Sequence, residues 1–77
     1  MNTQDKIRKM SKIITEYAGP IAKYMVVAEI KRMGHTEKNF PSEKLPRLAR
    51  RVINETIMDP DWKEICIRRV YREVLKR

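Results

Sequence analysis

Little in this 77-residue chain invites chemistry. It has two glycines, Gly19 and Gly34, so the closely spaced glycines that cradle a phosphate are missing. One cysteine, Cys66, leaves no internal disulfide and fits a reducing, cytoplasmic setting. One histidine, His35, and that cysteine are too few for a structural zinc site. No nucleophile stands beside a recognisable base, and the paired Asp59 and Asp61 sit in an Asp-Pro-Asp turn that suits helix capping better than proton transfer. Uncharged runs fall well short of the about 20 residues that cross a bilayer. The basic start at Lys6, Arg8 and Lys9 is not followed by the apolar stretch of a secretory signal. A non-enzymatic protein with no cofactor, no metal and no membrane span is expected.

What is present is helical. Neither hairpin dipeptides nor strand-like alternation occurs. Ile7, Met10, Ile14, Tyr17, Ile21, Met25 and Ala28 recur in steps of three and four, the spacing of one helix face. Gly19-Pro20 interrupts this stripe without changing its phase, so one kinked helix or two helices with Pro20 at the start of the second are both open. The segment Ile21–Ala28 holds one charge in eight residues and reads as the most buried element. Gly34 suits a left-handed helix end, with His35 as a capping donor just beyond it. Phe40 and Pro41 fold back over the core from the following loop. Leu45, Leu48, Ala49, Val52, Ile53 and Ile57 make the next apolar face. Asp59-Pro60 then caps and opens the last helix, whose inner line is Trp62, Cys66, Val70 and Val74.

The chain therefore predicts a single compact all-α domain of three or four helices over residues 1–77, with helices near 4–18, 20–33, 46–57 and 60–76. Its predicted core is Ile14, Tyr17, Ile21, Met25, Ala28, Leu48, Val52, Ile53, Trp62, Cys66 and Val70. Trp62 is expected as a buried anchor, costing about 3–5 kcal/mol on truncation.

Charge supplies a second theme. Eighteen Lys and Arg against ten Asp and Glu give +8, spread so that residues 1–18, 19–40, 41–58 and 59–77 each net +2. Glu43 with Arg47, Asp59 with Lys63, Glu64 with Arg68 and Glu73 with Arg77 stand four apart, acid first. On a helix each such pair contributes roughly 0.2–0.5 kcal/mol. Arg50, Arg51, Arg68, Arg69, Arg72 and Lys76 are candidate contacts to nucleic-acid phosphates. The acids Asp59, Asp61 and Glu64 would repel a duplex from the start of the last helix, and no helix-turn-helix pattern joins it to the helix before. In the second helix Tyr24, Val27 and Met33 lie off the main stripe. A helix apolar on nearly all sides needs a further cover, either the last helix, another protein or a second copy in a homodimer.

Glu16-Tyr17-Ala18-Gly19-Pro20-Ile21-Ala22-Lys23-Tyr24, followed by Leu45-Pro46-Arg47-Leu48-Ala49 and Asp59-Pro60, resembles a small helical module. That module, marked by Tyr-x-Gly-Pro-Ile-Ala, closes some bacterial signalling proteins, serine/threonine kinases and related regulators among them. The resemblance spans residues 14–75 and implies a regulatory or protein-interaction part without catalytic residues. On this reading the module would stand without a kinase domain, and it is more basic.

Overall fold

The computed structural model describes residues 1–75 and is all-α, with no strand among them. Four α-helices follow in order: α1 (Thr3–Ala18), α2 (Ile21–Arg32), α3 (Leu45–Thr56) and α4 (Pro60–Val70). A short 3-10 turn, Ser42–Lys44, leads into α3, and a wider π-type turn, Tyr71–Leu75, extends α4.

Each boundary has a local cause. The Asn2 side-chain oxygen accepts from the Asp5 N–H at 2.8 Å and starts α1. Gly19 ends it in a left-handed conformation, φ 87°, which a side chain would strain. Its N–H donates to the Thr15 carbonyl at 2.9 Å. Gly34, φ 82°, ends the second helical stretch, and the His35 backbone N–H donates back to Ile30. Asp59 caps α4 by accepting from Asp61 and Trp62 at 2.8 and 3.2 Å, with Pro60 in the first turn.

α1 packs on the other three helices, and α2 and α4 both pack on α1 and α3. Ile7, Met10, Ile13 and Ile14 of α1 meet Leu45, Leu48, Ala49, Val52 and Ile53 of α3 in one core. Ala22, Val26 and Ile30 join it from α2, and Cys66, Val70 and Val74 from the last helical stretch. Phe40 seals the loop side, as expected, with its ring edge-on to His35 at 5.5 Å.

Three sequence expectations need correction. α2 is not the most buried helix, and the apolar stripe does not keep its phase through Gly19-Pro20. The left-handed turn at Gly19 re-aims α2, so Ala22, Val26, Glu29 and Ile30 face inward, one to two residues out of step with the expected Ile21, Met25 and Ala28. Ile21 and Ala28 are exposed and Met25 is half-buried. Trp62 is 53% exposed, because the first turn of α4 overhangs the core and the inner line begins at Cys66. Its ring packs instead against Tyr17, itself half-buried, with centroids 5.8 Å apart.

Candidate functional site

The re-aimed α2 presents a second apolar face to solvent. Ile21, Tyr24 and Val27 are 54%, 67% and 47% exposed, and Ala28 lies among them. Lys23, whose ammonium sits 5.4 Å over the Tyr24 ring, flanks this face, and Lys31 closes its end. The one acid of α2, Glu29, points the other way and is fully buried. Val27 also borders two hollows. One, of about 280 Å³, is shared with Ile7, Arg8, Lys23 and Glu37; the other, of about 140 Å³ and mostly apolar, with Ile30, His35 and Glu37. Of the three residues predicted for interaction, Tyr24 and Val27 thus share this face. Met33 does not: it is half-buried against the core on the α3 side.

The expected phosphate contacts divide rather than converge. Neighbouring residues on a helix point about 100° apart, so each adjacent arginine pair is split between two flanks. Arg51 turns towards α2 and donates from Nε to Glu29 Oε1 at 2.6 Å. Arg50 turns towards α4, where its guanidinium lies 5.7 Å over the Tyr71 ring. Arg69 clamps α4 to α1: it reaches Glu73 and Glu16 at 2.9 Å and the Tyr17 hydroxyl at 3.2 Å. Those hydrogen bonds raise the Arg69 pKa further above its usual value and hold the Glu73 carboxyl below the ordinary carboxylate range. Arg68 and Arg72 stay outward on the flank facing Arg50. Arg68 borders both hollows there, about 370 Å³ with Arg50 and Lys63 and about 540 Å³ with Pro46, Tyr71 and Arg72. Arg50, Arg68 and Arg72 therefore border two adjoining hollows that share Arg68, with Arg68 paired to Glu64 and Arg72 to Glu73; Arg51 and Arg69 hold ion pairs between helices, and Lys76 lies outside the described residues. Of the four expected acid-first pairs, Glu64–Arg68 forms, at 2.8 Å; Glu43–Arg47 and Asp59–Lys63 are not ion pairs among the described residues, and Arg77 lies outside them.

Sequence reasoning missed Glu29. Burying a carboxylate costs several kcal/mol unless it is paired. Here Arg51 bonds one oxygen, while Arg32 Nη1 lies 2.7 Å from the other, Oε2, without the alignment of a hydrogen bond. Glu29 raises the Arg51 pKa above its usual value by that bond and by its charge. Arg32 also approaches Glu55 of α3 at 3.4 Å. Cys66 is fully buried, and desolvation pushes its thiol up to about 11, so it packs as a small hydrophobe and not as a nucleophile.

No helix among the described residues is long and apolar enough to cross a membrane. No family model, curated protein or solved structure matches the chain.

Proposed function

We propose that this chain is a non-catalytic protein-interaction domain that docks an acidic, amphipathic segment of another protein on the outward face of α2. The observation that carries this reading is a helix with apolar side chains on both faces. Its inner face is used in the core, whereas Ile21, Tyr24 and Val27 remain in water. Exposed apolar side chains gathered on one face, with hollows beside Val27, are the features of a contact surface. Charge selects the occupant. Lys23 and Lys31 border the patch, α2 exposes no acid of its own, and Glu37 beside the hollows is paired with Arg8 at 3.6 Å, so an acidic partner is attracted while a second copy would bring like charges together. The resemblance to a regulatory module points the same way.

The test is a nuclear-magnetic-resonance titration with a short amphipathic peptide of leucine and glutamate, and with its lysine counterpart. Perturbation of backbone signals over residues 21–31 by the acidic peptide alone, fading with salt, supports the reading. Equal response to both peptides, or changes elsewhere, refutes it. A concentration-dependent molar mass without peptide would favour self-association instead.

A second reading has one observation in its favour: Arg50, Arg68 and Arg72 border two adjoining hollows near Tyr71, a cationic track with an aromatic side chain beside it. Duplex DNA and single-stranded RNA, titrated at about 50 and 200 mM salt, test it. Binding lost on joint replacement of the three arginines by alanine supports this reading, and absence of binding at the lower salt ends it.

A further inference from the structure

Four cations from three consecutive segments line a cleft of about 270 Å³ between the end of α2 and the first half of α3. Arg32 ends α2, Lys44 ends the short turn, and Arg47 and Arg51 lie one turn apart on α3. Met33 supplies an apolar wall, and no acid lines the cleft. The hollow shared by Arg50 and Arg68 differs in this respect, since Glu64 lies in its wall and engages Arg68.

The buried Glu29 explains how the cleft is organised. It anchors Arg51 at 2.6 Å and Arg32 at 2.7 Å from behind, fixing two long side chains that would otherwise wander. Both remain about half exposed, 48% and 57%. A guanidinium has five N–H donors. Arg51 donates one of them, from Nε, to Glu29, which leaves the outer edge of the fork for a ligand. Lys44 is steadied in turn by His35, with Nζ 3.3 Å from Nε2. Four cations against Glu29 and Glu55 leave two positive charges, which matches the charge of a phosphate monoester near neutral pH, about −1.5 to −2. Planar forks and a point-charge ammonium around one cavity suit a compact tetrahedral oxyanion.

We propose that the cleft framed by Arg32, Lys44, Arg47 and Arg51 binds a phosphoryl group in its monoester or free form. A phosphodiester strand fits less well, because each link carries one charge and the next cation along α3, Arg50, points to the opposite flank. The site is separate from the outward face of α2, and two of its four cations belong to α3.

The experiment is a calorimetric titration of the intact chain with inorganic phosphate, a phosphoserine peptide, the same peptide unphosphorylated, and a short single-stranded DNA. Saturable binding of inorganic phosphate is expected. Lys44→Ala combined with Arg47→Ala leaves the Glu29 pairs untouched and should weaken it about tenfold or more, since each charge-assisted hydrogen bond lost is worth roughly that factor. Arg68→Ala combined with Arg72→Ala removes the same charge elsewhere and should leave it unchanged. Tighter binding of the phosphopeptide than of phosphate, with none by its unphosphorylated form, assigns the cleft to a phosphorylated partner; equal binding assigns it to the free anion. Equal losses from both double variants would reduce the effect to net charge and overturn the proposal. So would the absence of saturation, or a DNA strand that outcompetes the monoester.

Discussion

α2 and α3 are both twelve residues long, yet they treat their side chains in opposite ways. α3 sorts them: Leu45, Leu48, Ala49, Val52 and Ile53 are buried, and its charges lie outside. α2 buries a glutamate among Ala22, Val26 and Ile30 and leaves Ile21, Tyr24 and Val27 in water. Folding alone explains α3. It does not explain α2, where each misplaced residue sacrifices stability that a better-sorted helix would keep. Departures of this kind are expected where a surface serves something besides the fold.

Truncation in α3 should have the largest effect. Leu48 is fully buried, so Leu48→Ala should cost about 2–5 kcal/mol in urea unfolding. A cost below about 1 kcal/mol would mean that the core is looser than its burial implies. The ion pair of α2 should respond asymmetrically. Arg51→Met strands the buried Glu29 carboxylate with only the misaligned Arg32, whereas Glu29→Met leaves two arginines that water can reach. The Arg51 variant should therefore melt well below the Glu29 variant. The reverse order would show that Glu29 acts mainly as a cohesive contact between α2 and α3. Trp62→Ala comes next, at about 1–2 kcal/mol, the loss of a half-exposed ring packed on Tyr17. A loss as large as that from Leu48→Ala would restore Trp62 to the core.

The same contrast separates what was legible in the sequence from what was not. Local chemistry was legible: Gly19-Pro20 as a break, Gly34 as a helix end, Asp59-Pro60 as a cap and start, and the α3 face from its spacing. These depend on a few neighbouring residues. The phase of α2 was not, because counting 100° per residue through a left-handed glycine assumes a regularity that Gly19 removes. Trp62 misled because periodicity places a residue on a face and is silent on whether the core reaches that turn. Glu29 was invisible as a core residue, since a charged side chain reads as surface until its partners, 3 and 22 residues away, are brought to it. The arginines read together as candidate phosphate contacts; their division between flanks, and which flank met which acid, required the packing.

The measurement that bears most directly on α2 is a paired one on a single variant, Tyr24→Lys combined with Val27→Lys. Both side chains are about half or more exposed, so its urea unfolding should match the parent within about 0.5 kcal/mol. Its titration with the acidic amphipathic peptide should nevertheless lose the response over residues 21–31, although the added lysines raise the attraction for acids. Unchanged stability with lost binding is the predicted result. A variant that unfolds more readily, or that binds the peptide as the parent does, would contradict the claim that this face of α2 exists to be covered by a partner.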